Sequence, residues 1–253
     1  MPLASGVSEG RAIGAVLLSV RGLSKSFGAL KVVDNVCFDL HEGEVLGILG
    51  PNGAGKTMLF NLVSGDLRAD GGDIFLRGQS LAHLPSHERA RLGIGRTYQI
   101  PRPYPQMTTF ENLLVAAMFA GGLGEQDANE SCASILDDCG LAEWANRLAG
   151  SLTLLDRKRL ELARALAGVP KILLLDEIAG GLTEEEAAEL VFLVKRIRDS
   201  GVTIIWIEHV LRAIMPVADR MLVLNFGEKI AEGRPQDVIE DPDVRRVYIG
   251  IES

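Results

Sequence analysis

Gly50-Pro51-Asn52-Gly53-Ala54-Gly55-Lys56-Thr57 fits the pattern G-x-x-x-x-G-K-[ST], with an apolar run from Val45 to Leu49 before it and a helical pattern after it. Such a run can bind phosphate. Its glycines permit positive φ angles and close backbone approach, so that amide N–H groups can surround phosphate oxygens at a helix N-terminus. Lys56 supplies a point charge for the β- and γ-phosphates. Thr57 supplies a hydroxyl for Mg²⁺, a hard ion that takes oxygen ligands. Far downstream, Ile172-Leu173-Leu174-Leu175-Asp176-Glu177 ends an apolar run on two carboxylates. That is the edge at which an α/β sheet presents its ligands. Asp176 suits Mg²⁺ and Glu177 suits an attacking water.

The elements that must carry these residues are readable from periodicity. Val36, Phe38 and Leu40 alternate with Cys37 and Asp39, a strand that turns at His41-Glu42-Gly43-Glu44. Val45 to Leu49, Ile172 to Leu175 and Val202 to Ile207 are continuous apolar runs, the pattern of strands buried on both faces. Thr183 and Glu186 form a capping box, and Ala187, Leu190, Val191, Val194 and Ile197 make an apolar stripe at helical spacing. Between about Thr108 and Val169 only helical patterns occur, over 110–119, 128–139 and 154–167. Short strands resume near Val223 and Ile230, followed by helical segments after Pro235.

In this order the motifs resemble the ATP-binding subunits of ABC transporters, and the similarity runs from about residue 16 to the end. The resemblance implies an α/β P-loop ATPase core with an antiparallel β subdomain and a helical subdomain at about 102–168. It implies one ABC ATPase domain over 13–253, after a loose arm at 1–12. It assigns ATP and Mg²⁺ as cofactors. The nucleotide contacts become Gly50 through Thr57 with Met58, and Phe27 in Lys25-Ser26-Phe27-Gly28 becomes the aromatic that stacks on adenine. Gln99, in Arg96-Thr97-Tyr98-Gln99, matches the glutamine that links core to helical subdomain and reaches Mg²⁺ or the water. His209, in Ile207-Glu208-His209, matches the histidine that contacts the γ-phosphate. The resembled catalytic set is Glu177, His209, Gln99 and Lys56, with Thr57, Gln99 and Asp176 toward the metal.

Two segments depart from the family pattern. The signature Leu-Ser-Gly-Gly-Gln, which meets a partner subunit's ATP in trans, reads Leu152-Thr153-Leu154-Leu155-Asp156 here. Thr153 keeps a hydroxyl, while Leu154 and Leu155 replace both glycines. The loop after Glu177, which usually ends in Asp, reads Gly180-Gly181-Leu182-Thr183. From these departures we expect a second, different ATP-binding subunit with an ordinary signature rather than a homodimer.

Segments such as Leu224-Asn225-Phe226-Gly227 are most similar to the branched-chain amino acid importers. The expected partners are therefore membrane-embedded permease subunits and, indirectly, a solute-binding protein outside the membrane. The expected place is the cytoplasmic face of the membrane, peripherally. Pro101-Arg102-Pro103-Tyr104-Pro105 is a stiff segment exposing an aromatic near Gln99, and is expected to meet the permease. With 47% hydrophobic and 24% charged residues the chain has globular composition, and no apolar stretch approaches the roughly 20 residues that span a bilayer. A net charge of -8 argues against a broad nucleic-acid footprint. The other readings are a soluble ABC-type ATPase of DNA repair or translation, and a P-loop kinase or GTPase. The first usually brings tandem cassettes, a coiled-coil insertion or basic linkers, and the sequence has none. The second leaves Gln99 and His209 unexplained and lacks an Asn-Lys-x-Asp segment. Cys37, Cys132 and Cys139 are odd in number and lack metal spacing, so they are expected to be reduced core thiols.

Overall fold

A computed structural model describes residues 14–248. The arm expected at 1–12 lies outside the described residues, as do the last five residues of the chain. β1 (Val16–Phe27) and β2 (Leu30–His41) form a long antiparallel hairpin, turned at Gly28 with φ near +59°. β1 also pairs with the strand at Gly71–Leu76, which pairs with Gln79–Ser80, giving a four-stranded antiparallel sheet. Between these pieces the chain makes β3 (Val45–Leu49) and the helix α1 (Lys56–Ser64). Counting on, Gly71–Leu76 is β4, Gln79–Ser80 is β5, and the helix Ser86–Arg91 is α2.

The turn at His41–Glu44 does not fold β3 back onto β2. It carries the chain into a second sheet, built from β3, β6 (Ile94–Arg96), β7 (Ile172–Asp176), β8 (Thr203–Ile207), β9 (Arg220–Asn225) and β10 (Glu228–Gly233). The order is β10-β9-β3-β8-β7-β6, parallel except for the edge strand β10. Between β6 and β7 lie three α-helices, α3 (Thr109–Phe119), α4 (Glu125–Asp138) and α5 (Leu154–Ala167), with two single 3-10 turns between α4 and α5. α6 (Glu184–Asp199) connects β7 to β8 and starts on the Thr183–Glu186 capping box expected from sequence. α7 (Leu211–Ile214), α8 (Pro235–Glu240) and α9 (Pro242–Tyr248) complete the described residues.

Period-two alternation in the central strands divides the core in two. Leu46, Ile48, Ile172, Leu174, Ile205 and Ile207 face α1 and the antiparallel sheet. Their neighbours Val45, Leu49, Leu173, Leu175, Ile204 and Trp206 face the helices on the other side. Burying both faces is why these strands appear in the sequence as unbroken apolar runs. Each such side chain contributes roughly 1.5–3 kcal/mol by leaving water, which holds the C-terminal ends of β3 and β7 in register. Cys132 and Cys139 are buried free thiols, as expected, and burial pushes Cys139 up to about 12. Cys37 is a correction to the core-thiol expectation. It lies half-buried on the opposite face of β2 from Val36 and Phe38, where its sulfur accepts from the Gly22 amide.

Candidate functional site

The glycine loop joins β3 to α1. Gly50, Gly53 and Gly55 all hold positive φ, and two of them have no room for a side chain. A Cβ on Gly50 would sit 2.4 Å from the Leu224 carbonyl oxygen, and one on Gly55 would sit 2.2 Å from the Val32 oxygen. Two other hairpins therefore press on the loop. The Gly227 amide, at the β9–β10 turn, donates to the Ala54 carbonyl at 3.0 Å, and the Asp34 amide donates to the Gly227 carbonyl at 2.8 Å. These contacts fix the loop in the shape of an anion cradle.

Lys56 is buried, and its Nζ donates to the Gly50 carbonyl at 2.7 Å and to the Pro51 carbonyl at 3.1 Å. Burial pushes its ammonium below the usual lysine range, and the carboxylates of Glu177, Asp176 and Glu208 push back. A loop lysine so placed can exchange two carbonyl oxygens for phosphate oxygens by a small swing. Thr57 is exposed on the first turn of α1, and Met58, half-buried, packs against the core beneath. Phe27 stands 52% exposed at the end of β1, with the Lys25 ammonium lying over one face of its ring at 5.5 Å from the centre.

Asp176 closes β7 at 2% exposure. Burial raises its carboxyl above the usual range, opposed chiefly by the guanidinium of Arg96. Arg96 Nη2 lies 3.2 Å from Oδ2, while Oδ1 is buried with no hydrogen-bond partner among the described residues. An orphaned buried carboxylate oxygen, together with the exposed Thr57 hydroxyl on the first turn of α1, fits a hard divalent cation. Asp176 and Thr57 would hold Mg²⁺ there.

Glu177 follows in the left-handed region, φ near +45°, which turns its side chain away from the strand. Its Oε2 accepts from Gln99 Nε2 at 2.5 Å and lies 3.8 Å from His209 Nδ1. Thus Lys56, Asp176, Glu177, Gln99 and His209, drawn from four separate elements, converge on one edge of the parallel sheet. Gln99 thus reaches the site through its hydrogen bond to Glu177.

Thr153, Leu154 and Leu155 stand apart from this cluster, at the start of α5. Thr153 is the N-cap, accepting from the Asp156 amide at 3.2 Å and donating to Asp156 Oδ2 at 2.6 Å, so its hydroxyl is already used within its own helix. Leu154 is 43% exposed and approaches the Gly181 backbone, while Leu155 packs toward the core.

Sequence reasoning missed three charged side chains. Glu208 is fully buried, with Oε1 accepting from the Ala179 amide and Oε2 from the His209 amide, both at 3.0 Å. It pins the segment after Glu177 to the segment carrying His209. Lys158, on α5, is 5% exposed, and its ammonium is lowered by burial against the pull of Glu208 and Glu177. Arg96 grips Asp176 as described. Burial of a charge depends on long-range pairing, and only the adjacency of Glu208 to His209 and of Arg96 to Gln99 could have drawn notice.

With this geometry in place, comparison with known proteins is direct. Residues 33–180 match the ABC transporter family and residues 228–252 match the family described as branched-chain amino acid ATP-binding cassette transporter. The high-affinity branched-chain amino acid transport ATP-binding protein LivG of Escherichia coli (strain K12) is 41% identical over 249 residues, covering 92% of this chain and 98% of that protein. BraF of Pseudomonas aeruginosa, which carries the same description, is 39% identical at the same coverage. A crystal structure of a nucleotide-free ATP-binding cassette from an ABC transporter superposes with a TM-score of 0.85 at 31% identity, covering 93% of this chain and 100% of that one. The chain belongs to the ABC transporter family of ATP-binding proteins, with the C-terminal segment of its branched-chain amino acid branch.

Proposed function

We propose that this chain is the ATP-hydrolysing subunit that powers a membrane importer for branched-chain amino acids or related small solutes, working peripherally at the cytoplasmic face. The observation that carries the reading is the convergence of the Lys56 loop, the Asp176–Glu177 strand end and Gln99 at one sheet edge, where Gln99 Nε2 is 2.5 Å from Glu177 Oε2. Glycine-loop amides and Lys56 bind the phosphates, and Phe27 stacks on the base. Asp176 and Thr57 hold Mg²⁺, which supplies charge neutralisation at the transferred phosphoryl group. Glu177 orients and accepts a proton from the attacking water, Gln99 fixes the carboxylate, and His209 reaches the γ-phosphate. Catalysis is then positioning and charge stabilisation. The branched-chain substrate class is supported by the LivG and BraF similarity and by the C-terminal match.

Among the described residues no helix is long and apolar enough to cross a membrane, so transport needs membrane-embedded permease subunits. We place their contact on residues 102–168, read as a helical unit, and on the segment before it. A groove of about 280 Å³ between α1, α2 and the helices α3 and α5 includes Arg96, Tyr98 and Arg164 in its lining. Ile100, Tyr104, Met118 and Phe119 are exposed, the first at 73% and the last at 69%. Apolar side chains with guanidinium groups between them suit a short amphipathic permease helix that carries an acid. Tyr104 is held at this surface by Asn112, whose Oδ1 accepts from its amide at 2.8 Å, and by Arg164, 5.0 Å over its ring.

The second ATP-binding subunit is proposed to be a different chain, because Leu154 sets an exposed side chain, and Leu155 a second Cβ, where the family signature has glycine. A solute-binding protein would act only through the permease. Reconstitution into vesicles with the permease and the second subunit tests the whole reading. Uptake of leucine, isoleucine or valine that requires ATP and fails with Glu177→Gln is the expected result. Turnover stimulated by DNA or RNA and indifferent to the permease would instead support a nucleic-acid machine.

A further inference from the structure

Arg96 is the most heavily engaged side chain between the groove and the strand end. Its side chain is only 6% exposed. Nη1 donates to Asn61 Oδ1 at 2.7 Å, Ser64 Oγ at 3.1 Å and Asp66 Oδ2 at 2.9 Å, all at the end of α1. Nη2 donates to Asp176 Oδ2 at 3.2 Å. The guanidinium plane is clasped by two rings, Phe60 at 5.8 Å and Tyr98 at 4.8 Å, and Tyr98 carries Arg102 at 5.5 Å on its ring. Nε has no partner among the described residues.

We propose that Arg96 is a positioning residue that aims the free Oδ1 of Asp176 at the metal, and that its aim is set by what fills the groove beside it. The first half stands on the contacts alone. A buried carboxylate with one oxygen bonded and the other bare can rotate about its Cβ–Cγ bond until something fixes it. The Nη2 bond fixes Oδ2, so Oδ1 takes the remaining direction. A planar guanidinium anchored at its other nitrogen by three acceptors holds that direction more tightly than a flexible ammonium would.

The second half rests on the groove being the permease-docking surface. Arg96, Asp66 and Tyr98 all line it, so a helix seated there presses on Tyr98 and on the Arg102 contact with its ring. Any shift of the guanidinium is passed to Asp176 through a single bond. The groove and the metal ligand thus share one side chain.

The test measures metal binding rather than turnover. In the purified full chain with ADP bound, Mn²⁺ affinity is read by electron paramagnetic resonance, and ADP affinity in EDTA is read separately. Arg96→Met is expected to weaken Mn²⁺ at least fivefold with metal-free ADP affinity within twofold, and Arg96→Lys to recover part of the loss. Asp66→Asn, which loosens only the far anchor, should weaken Mn²⁺ about twofold, and it decides the matter if Arg96→Met does not fold. Unchanged or tighter Mn²⁺ binding in both Arg96→Met and Asp66→Asn overturns the positioning role. For the groove, Mn²⁺ affinity is compared between the free chain and the chain assembled with its permease. A shift of twofold or more that disappears in Tyr98→Ala supports the link, and an equal affinity in a complex that does assemble overturns it. Failure to assemble at all counts against the docking surface, and with it the second half, while the first half is decided by the free chain.

Discussion

The side-chain amide of Gln99 donates to the carboxylate of Glu177 at 2.5 Å, joining the segment after β6 to the end of β7. The glutamine therefore restrains the carboxylate of Glu177. Gln99→Ala should lower kcat about 10- to 100-fold while ATP affinity stays within about twofold, because it loosens orientation and leaves the phosphate loop alone. Steady-state ATPase assays beside equilibrium nucleotide titration separate the two; a fall in affinity matching the fall in kcat would be the wrong answer.

Glu177→Gln keeps the side chain's shape and removes the acceptor of the water's proton. Turnover should fall by at least about a hundredfold with ATP binding retained. Single-turnover hydrolysis at saturating ATP is the measurement, and near-normal rates would remove Glu177 from the role.

Lys56 is predicted to act on binding itself. Lys56→Ala removes the ammonium that reaches the loop carbonyls at 2.7 and 3.1 Å, so ATP should bind roughly 10- to 100-fold more weakly, the loss of a charge-assisted contact. Unaltered ATP affinity by calorimetry contradicts the assignment.

At the start of α5, replacing both signature leucines tests the unequal-pair reading. Leu154→Gly with Leu155→Gly should let the purified chain hydrolyse ATP without a second subunit, at a cost of about 1 kcal/mol of helix stability per glycine. Full activity of the unaltered chain alone, unchanged on adding the partner, defeats the heterodimer proposal. On the segment before α3, Tyr104→Asp should prevent assembly with the permease while sparing nucleotide binding, and intact assembly counts against that contact.

The two sheets are clamped by a charge network with a defined pH response. Arg220 grips both oxygens of Glu44, at 2.7 and 3.0 Å, and also reaches Glu232 and the Asp39 carbonyl. Although burial alone would raise Glu44, the bonds from Arg220 and His41 outweigh it and hold the carboxyl below its ordinary 4.5. A depressed folded-state value means stability that is complete above about pH 4.5 and lost as pH falls through the lower folded value. Urea unfolding from pH 6 down to pH 3 should therefore show a shallower loss for Glu44→Gln than for the unaltered chain. Equal slopes would show that Glu44 does not contribute.

How much of this was legible in the sequence depends on whether the chemistry is local. The Lys56 loop and the Asp176–Glu177 strand end are contiguous runs, and the α6 capping box needs only Thr183 and Glu186, so each was readable. β3 appears at the expected bounds, because a strand buried on both faces has no polar interruption. β1 was not legible: Arg21, Gly22 and Lys25 break its alternation, and its register shifts at those places. The same holds for β4, which opens on Gly71 and Gly72. Gln99 and His209 were found only by resemblance, since a lone glutamine or histidine has no pattern. Arg96, Glu208 and Lys158 were invisible because what makes them matter is desolvation by residues far away in the chain.

The neighbours of β3 are β8 and β9, and the Ala54 carbonyl is met by the amide of Gly227. During synthesis the phosphate loop thus emerges early with neither flanking strand nor buttress. At roughly 5–20 residues per second, its neighbours follow about ten to thirty seconds later. Until then the strand beneath the loop is an apolar segment without a partner, so newborn chains are expected to gain nucleotide binding abruptly and late, and a ribosome stalled before Gly227 should display a loop that cannot yet hold ATP.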